Sequence, residues 1–398
     1  MSAVAHVSSD TAVRASRNYV VWLLAAAFVA AFTMIYLIPP SSQILFVAFA
    51  QVRETGFYPD GLPVRRQYTG VYLLDEMFTG LAGLFSAASD GRDPATHLFC
   101  LWFLPQLCGV LVFIYWEAGK AETFSIIQFP TFFGILAQLI AAGPTLPLYF
   151  IAHIYYMPMN ASKLPSDGLA RARTLLPAIT IGYLLPSAVL FLAPTTMSLD
   201  AKQIVAAIWQ PFPLYISLLN ALFRCVDTFL FPATAPPPES VTNGTQKALH
   251  WIKRSYQASA LLSAIAHWAT AIPALLSSDP STSFAHVFVP YILHPYFPYH
   301  ITASTVPPYR QTIRLLFQHD WLFMTVAAFI FFGWHHFSIM SGEQGIRSSG
   351  WIRNMLLCTV AGGPGTAFAW AAIRRENEML KMQQNSKAAY SAARAEKL

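Results

Sequence analysis

Residues 126–157 read IIQFPTFFGILAQLIAAGPTLPLYFIAHIYYM, and this stretch decides the class of fold because it contains no Asp, Glu, Lys or Arg. About 20 apolar residues suffice to cross the hydrocarbon core of a bilayer as a helix. The stretch is too long for one straight crossing, and Pro144 and Pro147, which follow Gly143, predict a kink or a short break. We expect a helical membrane segment, since a backbone in lipid must satisfy its own hydrogen bonds.

The composition of the whole chain points to the same class of protein. Of its 398 residues, 55% are hydrophobic and 11% are charged, and the mean hydropathy is +0.45. Soluble domains usually contain about 25% charged residues. Further apolar stretches, which we interpret as spans, are 19–38, 72–88, 97–116, 175–193, 204–231, 259–276, 321–340 and 351–373. The pattern predicts an all-α, polytopic integral membrane helical bundle with about eight or nine transmembrane helices.

Three parts of the chain differ in polarity. Residues 1–18 form a polar N-terminal segment, residues 19–373 a single transmembrane helical domain, and residues 374–398 a basic tail. The tail is expected to be exposed and cytosolic, because basic segments remain on that side of a membrane. The net charge of +6 is attributed to loops and a tail beside anionic headgroups, so nucleic acid is not an expected partner. We expect a multi-pass protein of the endoplasmic reticulum membrane.

Two adjacent acids, Asp75 and Glu76, interrupt the apolar run YLLDEMFTGLAGLF at residues 72–85. A charge at the centre of a bilayer costs a few kcal/mol, so acids within a span are candidates for function. Adjacent positions on a helix differ by about 100°, and therefore only one of the two can face the interior. We predict Glu76, or else Asp75, as a catalytic acid. The alternative is that the pair lies at the headgroup boundary or caps a helix.

Other candidates also have a structural interpretation beside the functional one. Glu117 in FIYWEAGK is either a partner carboxylate at a cavity mouth or half of an ion pair with Lys120. Asp227 and His153 are candidate supporting residues, although an ion pair with Arg224 and a packing role are the simpler interpretations. Asp320 in FQHDWLF is interpreted as the N-cap of a span that follows it. The aromatic side chains predicted to shelter a cation, which also fit an interfacial belt, are Trp102, Trp116 and Tyr155.

Several motifs that would indicate another chemistry are missing from the sequence. There is no phosphate-binding loop, no dinucleotide-binding glycine motif, no DDxxD cluster for magnesium on a diphosphate, and no DxDD motif. The pair His335-His336 stands alone, whereas di-iron membrane enzymes need several spaced histidine boxes. We predict no metal site and no organic cofactor. Carboxyls and aromatic side chains remain, and they fit the proton-initiated opening of an olefin or epoxide.

The segments LLDEMFTGLAGLF, YWEAGK and the kinked stretch at 126–157 resemble a family of fungal integral membrane enzymes. These are the membrane-bound terpene cyclases of the ascofuranone type, with the related epoxide hydrolases of aurovertin and citreoviridin pathways. The resemblance covers mainly residues 70–230. It implies an enzyme of secondary-metabolite biosynthesis that acts on an epoxidised meroterpenoid or polyene-polyketide without a metal or organic cofactor. It does not identify the catalytic residues.

The residues and the resemblance together lead to one main hypothesis and one rival. An acid would protonate the epoxide of a lipophilic substrate, and either an internal group or water would attack, giving cyclisation or hydrolysis. Membrane lipids and neighbouring enzymes of the pathway are the other expected partners. The rival is a polytopic transporter or lipid-binding protein, in which the same acids would carry protons or ions.

Overall fold

The computed structural model describes residues 2–38, 41–121, 124–157, 167–191, 197–231, 240–290, 309–340 and 348–395. In these residues the only strand-like feature is a single antiparallel bridge between Phe57 and Pro63, and the predicted all-α class is confirmed. The α-helices are α1 (Ser2–Phe32), α2 (Ser41–Gln43), α3 (Phe49–Thr55), α4 (Tyr72–Ser89), α5 (Pro94–Glu117), α6 (Pro130–Ile140), α7 (Ala142–Tyr156), α8 (Gly168–Ile179), α9 (Leu185–Phe191), α10 (Leu199–Trp209), α11 (Phe212–Leu230), α12 (Ser240–Leu276), α13 (Phe284–Phe288), α14 (Tyr309–Met340), α15 (Ser348–Gly362) and α16 (Pro364–Ala395).

Six helical segments of the described chain are long and apolar enough to cross a membrane. They are Ser16–Leu37, Pro94–Glu117, Gly168–Phe191, Phe212–Leu230, Gly244–Leu276 and Tyr309–Ser338. The sequence predicted eight or nine spans. Three of the predicted spans are not among the six. Helix α4, at 72–89, is not long and apolar enough to be included. The stretch 351–373 is divided between α15 and α16, and the stretch 126–157 is divided between α6 and α7.

The broken stretch forms a hairpin of two short helices, α6 and α7, which we call the re-entrant hairpin (residues 130–156). Its helices have 11 and 15 residues, about 16 and 22 Å, so each is shorter than a hydrocarbon core of about 30 Å. The rings of Phe133 and Tyr149 lie 5.0 Å apart on either side of Ala141, so the chain doubles back there. Ala141 has φ 69° and ψ 159°, values that L-residues rarely adopt. The sequence predicted a break here, and the tip precedes Gly143 by two residues.

Helix α5 lies at the centre of the bundle and is apolar on every side, as expected of a helix surrounded by others. It packs against α12, α14 and α16. Phe99, Phe113 and Trp116 along its length are fully buried. The hydrophobic core therefore follows the axis of α5, and the C-terminal end of this helix meets both the hairpin, at His153, and the C-terminal helix, at Arg375.

The C-terminal helix α16 runs through the boundary at residue 374 without a break. Arg375 and Glu376, which were expected on an exposed tail, are only 4% and 2% exposed. The start of the basic segment therefore belongs to the packed core. Its partners there, described below, explain how a charged turn of helix can be buried.

Candidate functional site

An apolar cavity lies between α5, the re-entrant hairpin, the α10–α11 corner and α14. Aromatic side chains make up much of its wall. They include Phe85, Phe103, Phe133, Trp209, Phe212 and Phe317. Their ring faces carry partial negative charge, which can stabilise a cation in a site from which water is excluded.

Asp320 is the one carboxyl group among the described residues that line this cavity. The sequence interpretation of Asp320 as a helix N-cap is wrong, because α14 begins at Tyr309 and Asp320 lies well inside the helix. It is 5% exposed, and its Oδ1 accepts a hydrogen bond from the backbone N–H of Gly143. The first N–H groups of a helix have no partner within the helix, and one oxygen of a carboxyl group can accept from them whether the group is ionised or protonated. Asp320 therefore joins α14 to the N-terminus of α7.

Gly143 allows this close approach. A Cβ atom at this position would lie 2.9 Å from the backbone oxygen of Asp320 and 3.1 Å from its Oδ1, so any larger side chain would force the two helices apart. The neighbouring Ala141 adopts its unusual φ at the tip of the hairpin. The tip is thus held tightly against α14 at the place where the acid enters the cavity.

Three further polar side chains line the cavity, all from the hairpin. Thr145 satisfies its hydroxyl locally by donating to the carbonyl of Ala141 at 2.7 Å. Gln138 Oε1 and the Tyr149 hydroxyl are buried and have no hydrogen-bond partner among the described protein atoms. Thr145 and Tyr149 share one face of α7 with Ala142 and Leu146, the spacing expected of one helix face.

A cluster of charged groups lies just beyond the cavity, and we call it the Glu117 cluster (Glu117, Lys120, His153, Arg375 and Glu376). Arg375 binds Glu117 through two parallel contacts of 3.0 Å. Lys120 Nζ donates to Glu117 Oε1 at 2.7 Å and to Glu376 at 2.6 Å, and His153 Nε2 lies 2.8 Å from Glu117 Oε2. Both oxygens of Glu117 are thus occupied by basic partners.

The position of the Glu117 cluster follows from helix periodicity. Ile114 on α5 and Tyr149 on α7 line the cavity. Glu117 and His153 follow them by three and four residues, which is one further turn on the same helix face. The structure therefore brings two of the predicted site residues together at one end of the cavity, but behind its wall.

The adjacent acids that the sequence singled out lie elsewhere. Asp75 accepts hydrogen bonds from the backbone N–H groups of Tyr68, Thr69 and Gly70 at 3.0, 2.7 and 3.1 Å, and thus orders the loop before α4. Glu76 pairs with Arg53 at 3.0 Å on the protein surface. The two carboxylates point in different directions, as the helix geometry required, and neither lines the cavity.

The remaining predicted residues are also outside the cavity wall. Asp227 lies 3.5 Å from Arg173, whereas Arg224, its expected partner, binds Asp167. Trp102 donates its indole N–H to His267 at 2.9 Å. Trp116 is fully buried with Lys120 over its ring, and Tyr155 is 55% exposed with Arg17 over its ring.

The functional candidates that sequence reasoning missed are Asp320, Gln138 and Tyr149. A signal for Asp320 was present, because Phe317, Asp320 and Met324 follow the spacing of one helix face. It would have required extending the span at 321–340 towards the N-terminus. In the described residues, no group of three or more His, Cys, Asp or Glu side chains could hold a metal ion.

Comparison with known proteins gives three informative relatives. The chain is 29% identical over 171 residues to the terpene cyclase ctvD of Aspergillus terreus, a match that covers 41% of this chain and 49% of the relative. It is 26% identical over 231 residues to the terpene cyclase ascI of Acremonium egyptiacum, covering 56% and 57%. It is 25% identical over 312 residues to the FAD-dependent monooxygenase verC1 of Penicillium polonicum, covering 77% of this chain and 34% of that protein.

The extent of these matches is limited. The chain spans about half the length of the two terpene cyclases and about a third of the monooxygenase. No solved structure matches the chain. The model of the CtvD domain family, in contrast, matches residues 19–380, which include every helix that lines the cavity and the whole Glu117 cluster. The chain therefore belongs to the CtvD-domain family.

Proposed function

We propose that the protein is a membrane-bound terpene cyclase of fungal secondary metabolism, which protonates and opens an epoxide on a lipophilic meroterpenoid or polyene-polyketide chain. The observation that carries this proposal is the aromatic cavity with Asp320 as its one carboxyl group among the described lining residues. Membership of the CtvD-domain family and the names of two relatives support the cyclase reaction.

In the proposed reaction, the protonated Asp320 donates its proton to the epoxide oxygen. The bond between this oxygen and the more substituted carbon breaks, its electron pair stays on oxygen as a new hydroxyl group, and the carbon becomes cationic. An olefin or hydroxyl group of the same substrate then attacks that carbon. The final proton loss returns a proton to the Asp320 carboxylate, so cyclisation is an isomerisation with no net consumption of protons.

The walls of the cavity have two tasks in this reaction. Aromatic faces such as those of Phe317 and Trp209 would stabilise the cation by about 0.5–2 kcal/mol each. The apolar lining also excludes bulk water, which would otherwise attack the cation and give a diol. Attack by water is the hydrolase branch of the same chemistry, and the choice between the two depends on how dry the cavity stays.

This proposal assigns new roles to the residues that were predicted from the sequence. Asp320 takes the role of the acid. Glu117 and His153 are kept as supporting groups at the end of the cavity, held there by the contacts of the Glu117 cluster. The partners found for Asp75, Glu76 and Asp227 favour structural roles for these three residues.

The monooxygenase relative suggests the source of the substrate. The match to this chain covers 34% of a protein named as an FAD-dependent monooxygenase. A flavin monooxygenase can insert an oxygen atom into an olefin and so produce the epoxide that the proposed reaction consumes. We therefore propose an epoxidising flavoprotein as the preceding enzyme, with both reactions at the endoplasmic reticulum membrane.

A direct test is to express the chain in yeast microsomes and supply epoxidised polyprenyl-phenols and epoxidised polyene-pyrones. Cyclised isomers of the same mass as the substrate are expected. Microsomes that carry the Asp320→Asn variant, at matched protein level, serve as the control. If wild-type microsomes convert none of these epoxides beyond the background of empty microsomes, the proposed function is wrong.

One observation favours a second candidate, a membrane transporter. Transporters contain short half-helices whose N-termini point at an anionic group of the substrate. In the re-entrant hairpin, the N-terminus of α7 likewise points at a carboxyl group, that of Asp320. Reconstitution into liposomes separates the two functions. Substrate-dependent proton flux without any change in the substrate would favour transport, whereas conversion without flux would favour the cyclase.

A further inference from the structure

Five buried polar atoms around the Glu117 cluster have no hydrogen-bond partner among the described protein atoms. They are Trp116 Nε1, Tyr149 Oη, Tyr256 Oη, His335 Nε2 and Arg375 Nε. Each belongs to a residue that is no more than 4% exposed. An unpaired polar group in a protein interior is costly, and most such groups are paired with protein atoms or with ordered water.

These atoms surround one place in the fold. Arg375 Nε belongs to the guanidinium that binds Glu117, and Lys120 Nζ lies 5.2 Å from the centre of the Trp116 ring. The ring of Tyr149 lies 6.1 Å from that of His153. On α14, the ring of Phe331 lies 5.1 Å from that of His153 and 6.4 Å from that of His335. Tyr256, on α12, interacts electrostatically with Glu117, Glu376 and Arg375. The unpaired atoms thus come from five different helices and converge on the Glu117 cluster.

The charges of the cluster determine which ligand fits. Two acids, Glu117 and Glu376, face two permanent cations, Lys120 and Arg375, so their charges balance and offer no net attraction to a free ion. The unpaired atoms include N–H donors and hydroxyl groups that both donate and accept. Water has the same dual capacity and satisfies such mixed sets in protein interiors.

We propose that the Glu117 cluster is a hydrated chamber and that the ring of Tyr149 is the wall that keeps its water out of the apolar cavity. Tyr149 lines the cavity with its ring, and its position one turn before His153 puts it at the boundary. Phe133 at 5.0 Å and Phe150 at 5.7 Å hold this ring in place. Tyr149 is then a residue that determines the product: with the wall intact the cation cyclises, and without it water attacks. This second step rests on the proposed function, whereas the hydration of the chamber does not.

The chamber can be tested without any substrate. Full-length protein in nanodiscs is exposed to a synchrotron pulse, which generates hydroxyl radicals from internal water, and oxidised side chains are located by mass spectrometry. Tyr149 and Tyr256 should be oxidised several-fold faster than Tyr183. Tyr183 is the matched control because it is equally buried, but its hydroxyl donates to the carbonyl of Leu104 at 2.8 Å. Equal and low oxidation of all three tyrosines would mean that no water lies beside Tyr149 and Tyr256, and it would overturn the proposal of a hydrated chamber.

The wall is tested by the products of three variants in microsomes prepared in H₂¹⁸O. Tyr149→Ala should raise the ratio of ¹⁸O-labelled diol to cyclised product at least about tenfold, which corresponds to about 1.4 kcal/mol of selectivity. Tyr149→Phe retains the ring and should keep the diol ratio near that of the wild type. Phe103→Ala opens the cavity wall on α5 away from the chamber and controls for simple enlargement.

The outcomes separate the two proposals. If Tyr149→Ala forms no more diol than Phe103→Ala, Tyr149 does not act as a wall against water, whereas the proposed cyclase reaction is unaffected. No conversion by any form of the protein would remove both the cyclase and the role of the wall. The oxidation pattern of Tyr149 and Tyr256 would still decide whether the chamber contains water, since that experiment needs no enzymatic turnover.

Discussion

Asp320 and Gly143 are 177 positions apart in the sequence, yet the carboxylate of the first accepts the backbone N–H of the second at the tip of the re-entrant hairpin. This contact joins a long helix to the free N-terminus of a short one. It also places the acid at the wall of the aromatic cavity. The same residue is therefore part of the architecture and the best candidate for proton transfer, and experiments must separate the two roles.

Replacing Asp320 with Asn should separate the architectural role of this residue from its role in proton transfer. The amide oxygen of Asn can still accept the N–H of Gly143, but the side chain has no acidic proton to deliver. We expect cyclisation of the epoxide to fall by about 10²–10⁴-fold, the usual contribution of a general acid. Initial rates in microsomes at equal protein level provide the measurement.

Folding is the control for this variant. The elution profile in detergent and the unfolding curve of Asp320→Asn should stay close to those of the wild type. Asp320→Ala removes the acceptor as well and should lose both activity and stability. Full activity in a well-folded Asp320→Asn variant would eliminate Asp320 as the acid.

Two substitutions at the hairpin tip should change stability in opposite directions. Gly143→Ala brings a Cβ atom to 2.9 Å from the backbone oxygen of Asp320 and should lower the free energy of unfolding by about 1–3 kcal/mol, as in overpacked cores. Ala141→Gly relieves a positive φ and should raise it by about 1 kcal/mol, after the added entropy of glycine. Unfolding in mixed SDS and dodecylmaltoside micelles measures both. A stabilised Gly143→Ala protein would contradict the close contact between tip and α14.

Much of the architecture could be predicted from the sequence. Low charge and long apolar stretches indicated a helical membrane bundle, and Gly143, Pro144 and Pro147 indicated the break near Ala141. The simpler interpretation of Glu117, an ion pair with Lys120, is what the structure contains. These features depend on local composition or on residues within one helical turn, which a sequence pattern reports directly.

The cavity acid could not be recognised in the same way. Residues 309–320 include Arg310 and Arg314, and the span predicted from the sequence begins only after them, at residue 321. In the fold both arginines are buried, and Arg310 is paired with Asp60, a residue distant in the chain, at 3.0 Å. Long-range pairing of this kind hides a charge without leaving a local signal. Arg375 escaped prediction for the same reason, since Glu117 neutralises it from another helix.

Two glutamates provide a matched comparison for ion pairs. Glu117 pairs with Arg375 where both side chains are almost fully buried, whereas Glu76 pairs with Arg53 at the surface. Removing one partner of a buried pair leaves an uncompensated charge and costs about 3–5 kcal/mol. We expect Glu117→Gln to lose about this much stability, and Glu76→Gln to lose less than about 1 kcal/mol, the usual range for an exposed pair.

The same two variants test the acids predicted from the sequence. Product formation is measured at a temperature where both variants remain folded, as judged from their unfolding curves. Glu76→Gln should keep wild-type turnover, because Glu76 does not line the cavity and pairs with Arg53 instead. A folded Glu76→Gln protein without activity would restore Glu76 as the catalytic acid and displace Asp320 from the mechanism.

The contacts of the C-terminal helix α16 determine where the chain can be shortened. A chain that ends at residue 373 lacks Arg375 and Glu376, so Glu117 and Lys120 lose partners in the core. It also lacks Glu378, whose carboxylate lies 3.3 Å from His336 Nδ1 on α14. We expect this truncation to abolish folding, because broken buried pairs at about 3–5 kcal/mol each remove most of the about 5–15 kcal/mol by which native proteins are usually stable. A chain that ends at residue 380, the limit of the family match, keeps all of these contacts and should fold.

Fluorescence-detected size-exclusion chromatography of the two truncated forms, expressed in parallel, measures whether each one folds. A monodisperse peak from the chain that ends at residue 373 would mean that the Glu117 cluster is dispensable for folding.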